Sequence, residues 1–506
     1  MHLKKNGVFS RSASAQRRNH SRVLIIGAGA SGYAAASRLM ENGFYDLTVL
    51  EAEPRIGGRV NTVRFAENIV ELGAEWVHGE VGNVVYEMAE PLELLGHNAA
   101  KRDFNSHMDF VWSGGALAER AEIELLLNTS QAIRDAVDVD PALASYTGSY
   151  GEFFLDKFNQ KLMALERRPP AELVDRFLGW FEKATGFYDG SDTWFNTSGR
   201  GLLHYRECEG DLAITWKRGG YRTVFDLLTK RFPNPSQELP VRRRVLLNSE
   251  VAVIRWAERE ATSRPKPPIV VELSNGARYT ADLVLVTVSL GVLKHSADTL
   301  FDPPLPQRKM NAVRNLGFGQ VNKLFMYFSD PWWPSGLSGY SVLVTEDDLE
   351  AFKRKYPQYG SMGHWVHGLS GFYIDQHKPS VVLFDWIVGE PARVMERYSD
   401  YQIMMGCKDW LDMFLGQNFT IPTPIGFTRS MWWTNKHFKG SYSYRSLDSD
   451  RADAWAAHLA EPILDRDGEP AVLFAGEATH DYYYSTVHGA IESGWREADR
   501  ILGSLK

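Results

Sequence analysis

The chain has 506 residues, of which 44% are hydrophobic and 24% charged, a composition ordinary for a folded protein of two domains. Its formal net charge is −7, because 63 Asp and Glu outnumber 56 Lys and Arg, so nothing indicates a nucleic-acid-binding protein. Two cysteines, Cys208 and Cys407, are too few for a disulfide framework or a cysteine-based metal site, and we predict no metal cofactor. No apolar run reaches the length of a membrane-spanning helix.

Residues 1–21 form a predicted flexible tail that is rich in Arg and Ser and contains no Asp or Glu. They lack the apolar core of a secretory signal, although an acid-free, Arg-rich start is compatible with a mitochondrial presequence. Three sequons, at Asn128, Asn196 and Asn418, would matter only in a secreted chain. We predict a cytoplasmic protein, with mitochondrial import and secretion as alternatives.

A strand, a glycine-rich turn, a helix and a second strand follow this tail. Val23–Ile26 is an apolar, β-branched run typical of a strand buried on both faces. The run 27–32 has the G-x-G-x-x-G spacing. Its glycines allow a tight turn, let a pyrophosphate approach the backbone, and let the following helix pack closely on the strand. The second strand, Leu47–Leu50, ends at an acid suited to a ribose hydroxyl. We predict dinucleotide contacts from Gly27, Gly29, Ala30, Ser31, Gly32, Glu51 and Ala52.

A second glycine-containing segment comes directly after this acid. The adjacent Gly57 and Gly58 let the backbone approach a ligand closely. Arg59 could then reach the pyrophosphate as a charged donor, and a turn with a solvated arginine is the alternative. An apolar strand from residue 69 runs into a loop that carries Trp76 and His78.

The remaining chain alternates between helical and strand patterns, which predicts an α/β fold. Helical spacing covers 84–97, much of 119–185, 223–230, 346–355, 400–415 and 488–502, and strand signals cover 241–247, 251–256, 269–273, 283–288, 321–328, 381–388 and 471–475. The last strand ends in a glycine and an acid, like the opening motif. We therefore predict a discontinuous, Rossmann-like nucleotide domain (22–98, 218–300 and 431–506) and an α+β substrate domain (99–217 and 301–430).

Six motifs together resemble one family, the flavin-containing amine oxidases, and within it the animal polyamine oxidases. The resemblance runs over residues 22–502. The motifs are Gly27-x-Gly29-x-x-Gly32, the run from Glu51 to Val60, the run from Leu72 to Gly79, the run from Gly440 to Tyr444, Gly476-Glu477-Ala-Thr, and the run from Tyr484 to Ala490.

The resemblance implies noncovalent FAD, a two-domain architecture, and oxidation of an amine by O2 with release of H2O2. By motif, Val251 would contact the adenine, Glu477 the region between ribityl chain and pyrophosphate, and Val487 the isoalloxazine edge. Further cofactor contacts are expected from Gly58, Arg59, Gly73, Ala74, Glu75, Trp76, Trp433, Gly476 and Thr486. Monoamine oxidases attach their flavin to a cysteine that directly precedes a tyrosine of the substrate site. The matching tyrosine here is Tyr442, and the residue before it is Ser441.

Lys323 is the most informative candidate for the chemistry. It interrupts an apolar strand, and alternation places it on the same face as Val321 and Phe325. A buried lysine needs a partner, so either it serves a site or the strand face is solvated. In the family, the lysine of this strand holds a water against flavin N5.

The resemblance also indicates the substrate site. Tyr442 matches an aromatic wall, Ser485 and Thr486 a small polar opposite wall, and His78 the loop residue near the substrate nitrogen. Aromatic walls desolvate an amine and attract other ammonium groups. Glu182 and Trp76 are further candidate substrate contacts, and Glu207 is an alternative to Glu182 for a distal ammonium.

We therefore predict an FAD-dependent polyamine oxidase that acts at a secondary amine of spermine, spermidine or their N1-acetylated forms and produces an aldehyde and a shorter amine. The alternatives are another flavin amine oxidase, acting on monoamines or L-amino acids, and a flavin-binding pseudoenzyme that serves as an interaction module. We expect a monomer or weak dimer.

Overall fold

The computed structural model describes residues 21–96, 107–137, 140–256, 267–375 and 379–504. The predicted tail, apart from Ser21, lies outside the described residues. The helices and strands belong to two large sheets and the layers that pack on them, and the α/β class predicted from the sequence is confirmed.

The first sheet is built around Val23–Ile26. Its six strands run in the order Ile463–Leu464, Pro470–Phe474, Leu283–Val286, Val23–Ile26, Leu47–Leu50 and Val245–Leu246. All neighbours are parallel except the first pair. The four residues Val23–Ile26 are buried, as an apolar strand with neighbours on both sides and helices on its face requires.

Two long helices pack over this sheet. Ala30–Glu41 follows the glycine turn, and Val487–Ser504 crosses it near Gly494, where a Cβ would overlap the Ser31 carbonyl oxygen. A glycine at the crossing lets the two backbones approach closely. The N-terminus of the first helix is thereby fixed at the carboxyl edge of the parallel sheet.

The second sheet carries Lys323. Its strands run in the order Gly426–Arg429, Val321–Tyr327, Val382–Val388, Gly371–Ile374, Gly339–Leu343 and Met108–Trp112, and all neighbours are antiparallel except the last pair. Leu324 and Met326 point into the hydrophobic core behind the sheet. The alternate residues face the other way, as the sequence predicts.

Smaller elements complete the fold. A four-stranded sheet contains Arg278–Ala281, Ile269–Leu273, Val251–Arg255 and Phe301–Asp302. Three two-stranded pairs join Thr62–Phe65 to Asn68–Glu71, Leu95–Gly96 to Thr215–Trp216, and Gly317–Phe318 to Ser443–Tyr444. The other helices are Val84–Ala89, Arg120–Arg134, Tyr150–Met163, Ala171–Asp189, Thr223–Leu228, Leu290–Leu300, Gln307–Asn315, Glu346–Lys355, Glu390–Met395, Asp400–Leu415, Leu447–Arg451 and Ala456–Ala460.

Two sequence-based element predictions are corrected. The expected strand over 241–247 is a 3-10 helix, Pro240–Arg244, followed by the short strand Val245–Leu246, because Pro240 starts a helical turn and three arginines follow. The expected helix over 84–97 ends at Ala89 and continues as the 3-10 turn Glu90–Leu92. Proline at the second position of that turn cannot supply the N–H that a continuing α-helix needs.

Candidate active site

A cavity of about 1790 Å³ extends from the carboxyl edge of the first sheet to the face of the second sheet that carries Lys323. Single small-molecule sites are usually roughly 300–1,000 Å³, so this volume has room for a dinucleotide and an extended second ligand. The predicted site residues on its wall are Gly27, Gly29, Ala30, Ser31, Glu51, Ala52, Gly58, Arg59, Gly73, Ala74, Glu75, Trp76, His78, Glu207, Val251, Lys323, Tyr442, Gly476, Glu477, Ser485, Thr486 and Val487.

The glycine turn is shaped to receive a diphosphate. Gly27 has a φ of +105°, and a Cβ there would lie 2.6 Å from Thr287 Oγ1. At Gly29 the space beyond the backbone is open, and the helix that begins at Ala30 directs its first N–H groups toward that space. The helix dipole and these N–H groups favour an anion. Gly32 does not line the cavity, and a Cβ there would overlap the Gly27 carbonyl oxygen, so this glycine serves helix-on-strand packing.

Glu51 is buried at the end of the second strand. Its carboxylate accepts hydrogen bonds from the N–H groups of Ala28 at 2.6 Å and Glu53 at 2.8 Å. Burial raises the pKa of the Glu51 carboxyl, and the two backbone donors oppose that rise. Each oxygen keeps a further lone pair, which suits the ribose hydroxyl that the sequence predicts.

Glu477 ties three distant segments together on the cavity wall. Arg59 Nη1 donates to Glu477 Oε1 at 2.8 Å and to the Ser441 carbonyl at 2.6 Å. Glu477 Oε2 accepts from Ser443 Oγ at 2.6 Å and from the Ser485 N–H at 2.8 Å. The carboxylate is buried and fully engaged, so it holds these segments in register around the cavity.

Lys323 lies on the cavity wall with a buried side chain. Its ammonium donates to Glu75 Oε2 at 2.7 Å and to the Gly73 carbonyl at 2.8 Å. Val321 and Phe325 line the same wall, so the alternation argument is confirmed. Lys323 Nζ also lies 6.0 Å from the ring centroid of Trp76.

Aromatic side chains form the wall beside the lysine. The Tyr442 hydroxyl donates to the Phe187 carbonyl, and its ring packs against Gly190, where any Cβ would overlap it. The Phe187 ring stacks on Trp386 with centroids 4.8 Å apart, and Trp386 lies 5.6 Å from Trp76. Burial raises the pKa of Tyr442, so the phenol stays protonated and the ring presents no negative charge to a ligand.

His78 also faces the cavity. Its Nδ1 lies 2.7 Å from the Leu212 carbonyl, which fixes the ring. Burial lowers the pKa of His78, so the imidazole is neutral at pH 7, with Nδ1 as donor and Nε2 as acceptor.

Thr486 also lines the cavity, but its hydroxyl already has two partners. Thr486 Oγ1 donates a hydrogen bond to the Tyr483 carbonyl at 2.7 Å and accepts one from the Gly489 N–H at 3.0 Å.

Besides Gly32, two further predicted contacts lie away from the cavity. Glu182 accepts a hydrogen bond from Thr193 Oγ1 at 2.5 Å, because the segment after its helix folds back over it. Trp433 is 38% exposed and lies under the Arg393 guanidinium, 4.7 Å from the ring centroid. The preceding Trp432 lines the cavity instead, which corrects the sequence-based assignment by one residue.

Several wall residues carried no signal in the sequence. Burial raises the pKa of Glu71 to about 7, with bonds from the Tyr221 N–H at 2.8 Å and from Thr62 Oγ1 opposing the rise. Asp189, Arg134 and three tyrosines, Tyr150, Tyr205 and Tyr484, also line the cavity. Apart from Tyr484, which begins the last of the six motifs, none belongs to a recognisable motif, and the packing of distant segments brings them together.

Among the described residues, no group of three or more His, Cys, Asp and Glu is placed to hold a metal ion. Within the same part of the chain, no helix is both long and apolar enough to cross a membrane.

The fold is α/β, with a Rossmann-like glycine turn on the wall of the cavity. The same cavity contains an aromatic chamber, the part lined by Tyr442, Phe187, Trp386 and Trp76. The family model for flavin-containing amine oxidoreductases matches residues 30–502. The chain is 33% identical to the peroxisomal N(1)-acetyl-spermine/spermidine oxidase of Bos taurus over 95% of this chain and 94% of that protein. It is also 31% identical to polyamine oxidase 1 of Oryza sativa subsp. japonica, over 95% and 97% of the two chains.

A structure of putrescine oxidase bound to putrescine has the same fold, with a TM-score of 0.65 and 18% identity over 96% of this chain and 99% of that one. The chain belongs to the flavin-containing amine oxidoreductase family, and the family resemblance predicted from the sequence is confirmed. It is therefore a flavin-dependent amine oxidase.

Proposed function

We propose that this protein is an FAD-dependent polyamine oxidase that oxidises spermine, spermidine or their N1-acetylated forms at a secondary amine. The observation that carries the proposal is the single cavity that joins the dinucleotide turn at Gly27 to the aromatic chamber around Lys323. The names of the bovine and rice relatives support the same substrate class.

The dinucleotide end of the cavity fits FAD. The open backbone at Gly29 and the first N–H groups of the following helix would hold the diphosphate, and Glu51 the ribose. The Arg59–Glu477 pair would lie along the pyrophosphate side. When bound, FAD supplies a hydride acceptor that O2 reoxidises with release of H2O2.

The aromatic chamber would bind and orient the amine. Tyr442, Trp386 and Phe187 exclude water and offer ring faces to an alkylammonium chain. The neutral His78 can accept a proton or hydrogen bond at Nε2, which favours the uncharged form of a reacting amine. Lys323, held by Glu75, would place its ammonium N–H groups toward a water in the cavity.

We propose that the FAD is bound noncovalently. Ser441 has no thiol for a linkage, and Cys407 is packed in the core behind the second sheet. Cys208 does line the cavity, but burial raises the pKa of its thiol, which disfavours the thiolate. Acid precipitation should therefore leave a colourless pellet and release the flavin into solution, and a yellow pellet would refute noncovalent binding.

A substrate panel with product identification tests the function. Purified protein should produce H2O2 with spermine, spermidine or their N1-acetyl forms, and mass spectrometry should identify the aldehyde and the shorter amine. Activity confined to monoamines or L-amino acids would assign the protein to another branch of the family. No turnover by the flavin-loaded protein with any amine would favour the pseudoenzyme alternative.

We also propose that the chain is divided into two domains, each built from separate segments of the sequence. We place 22–98, 218–300 and 431–506 in the FAD-binding domain, because the strands of the first sheet all fall in these segments. The segments 99–217 and 301–430 likewise contain the strands of the second sheet. Limited proteolysis should cut preferentially near these boundaries.

The compartment and the assembly state remain predictions. A cytoplasmic location would be checked by imaging the tagged chain, although the bovine relative is named as peroxisomal. Light scattering would decide between a monomer and a weak dimer.

A further inference from the structure

A compact loop follows the edge strand Gly426–Arg429 of the second sheet. Its two ends meet, because the Gly440 N–H donates to the Trp432 carbonyl at 3.0 Å. The Trp432 and Phe438 rings pack edge to face inside the loop, with centroids 5.2 Å apart. A loop with joined ends and its own packed side chains behaves as one unit. We call residues 432–440 the flap.

Buried side chains anchor the flap on both sides of its tip. The buried carboxylate of Glu396 accepts hydrogen bonds from the N–H and the hydroxyl of Thr434, at 2.6 and 2.7 Å. On the other side, Ser289 Oγ donates to the Phe438 carbonyl at 2.6 Å. The tip between these anchors, residues 435–437, can lift without breaking either of them.

Two side-chain pairs hold the tip down. His437 Nδ1 donates to Glu53 Oε1 at 2.5 Å, and Lys436 Nζ donates to Glu250 Oε2 at 2.6 Å. His437 Nε2 also lies 3.6 Å from Glu250 Oε1. The side chains of His437 and Glu53 are only 19% and 15% exposed, whereas that of Lys436 is 63% exposed. Because exposed pairs contribute little, the bond between His437 and Glu53 is the main latch.

The latch lies beside the residues that are expected to contact the adenosine of the cofactor. The Glu53 N–H donates to Glu51 Oε1 at 2.8 Å, and Glu51 is the predicted ribose acid. Glu250 directly precedes Val251, the predicted adenine contact. Two of the three tip residues line the cavity themselves. The latch therefore joins the flap to both segments that would hold the adenosine.

The cavity reaches the surface next to this latch. Ala252, Ser274 and Thr299 line this part of the wall, and all three are exposed. The Ser274 N–H donates to the Glu250 carbonyl at 2.8 Å, which places this opening beside the carboxylate that Lys436 holds. Lifting the tip would widen the opening at the dinucleotide end of the cavity.

We propose that the flap is a gate for the cofactor, latched mainly by His437 on Glu53, through which FAD enters and leaves when the tip lifts. This inference rests on the proposed function, because it takes FAD as the ligand. His437 acts through Glu53 and is a positioning residue. Since the latch closes the gate with or without FAD, its loss should speed entry and release alike and change the affinity little.

The test measures FAD exchange by the holoenzyme. Each protein is incubated with an excess of deazaflavin adenine dinucleotide, and the FAD that stays on the protein after gel filtration gives the release rate. His437→Phe keeps a ring and removes the bond to Glu53, so release should be roughly 10-fold to 100-fold faster. Lys436→Met should speed release by less than about 5-fold, because its pair is exposed.

Lys353→Met is the matched control. Lys353 donates to Glu350 Oε1 at 2.7 Å on the helix Glu346–Lys355, and neither residue lines the cavity. Loss of this pair should leave FAD exchange at the wild-type rate.

Glu53→Met keeps the inference testable if His437→Phe folds poorly. It removes the same bond from the other side and retains the backbone N–H that serves Glu51. Release should be as fast as in His437→Phe, and the double variant should be no faster than either single variant.

The rate at which FAD rebinds to the flavin-depleted full chain separates a gate from a simple cofactor contact. In both single variants, rebinding should be faster by about the same factor as release. Unchanged release in both variants overturns the inference, and so does faster release with unchanged rebinding. Because these measurements need no amine, their outcomes are distinct from failure of the substrate panel.

Discussion

Lys323 is tolerated in the second sheet because Glu75 accepts its hydrogen bond on the cavity wall. Glu75→Gln would leave the ammonium with a neutral partner and the Gly73 carbonyl. We expect the rate of flavin reduction or reoxidation to fall about 10-fold or more, since charge-assisted bonds of this kind contribute about 1.5–3 kcal/mol. Stopped-flow absorbance of the flavin would measure both half-reactions.

A double-mutant cycle shows whether Glu75 acts through Lys323. Lys323→Met should slow the same step, and the double variant should be no slower than Lys323→Met alone. Glu67→Gln is the control and should behave as wild type. Glu67 is exposed in the turn between the strands Thr62–Phe65 and Asn68–Glu71, shortly before Glu75 in the chain. Additive losses in the double variant would mean that Glu75 has an independent role.

Glu71 predicts a pH dependence of stability. Its pKa is raised from 4.5 to about 7, mainly by burial, so the folded state holds the proton more tightly than the unfolded state. The contribution of Glu71 therefore favours folding at low pH and is lost as the pH rises from about 4.5 to 7. Thermal melts should therefore show that the melting temperature of the wild-type protein, relative to that of Glu71→Gln, falls as the pH rises across this window. A difference that is flat with pH would contradict this.

Single residues could be predicted where a local pattern was sufficient. The position of Lys323 followed from strand alternation, and that of Gly27 from the glycine spacing. The helical pattern alone could not show whether Glu182 faces the cavity, because that depends on the segment that follows its helix. In the fold, Thr193 donates a hydrogen bond to Glu182, and Glu182 does not line the cavity.

At the scale of elements, the crossing of Ala30–Glu41 and Val487–Ser504 positions the glycine turn that begins at Gly27. Gly494→Ala should destabilise the protein and lower its flavin content, because the new methyl group overlaps the Ser31 carbonyl oxygen beside the turn. Gly503→Ala, on the same helix with open space around it, should be neutral or slightly stabilising. Melting temperature and the flavin-to-protein absorbance ratio would measure both effects. Equal behaviour of the two variants would show that the close crossing is unimportant.

Elements with a regular pattern were predictable, and short irregular ones were not. The hairpin turn at Asn275-Gly276 follows from its sequence, and Gly276 has the positive φ such turns require. The run from Val241 to Leu247 looked like a strand from its valines and leucines. Pro240 and three arginines instead favour a helical turn, and only Val245–Leu246 finds a partner in the first sheet.

At the scale of the whole molecule, the site is assembled from segments far apart in the sequence. Glu477 bonds Arg59, Ser443 and Ser485, so residues from three stretches meet at one carboxylate. The sequence predicts which stretches belong together through their motifs. It does not predict the shape or volume of the cavity between them, because these depend on how both sheets and the helices between them pack.

The central claim is that one cavity holds a flavin beside a polyamine. Anaerobic mixing of the purified yellow protein with spermine, spermidine and their N1-acetyl forms tests it most directly. The visible absorbance of the oxidised flavin should disappear with at least one of these amines, and return when O2 is admitted. Absorbance that stays unchanged with all of them would contradict the account.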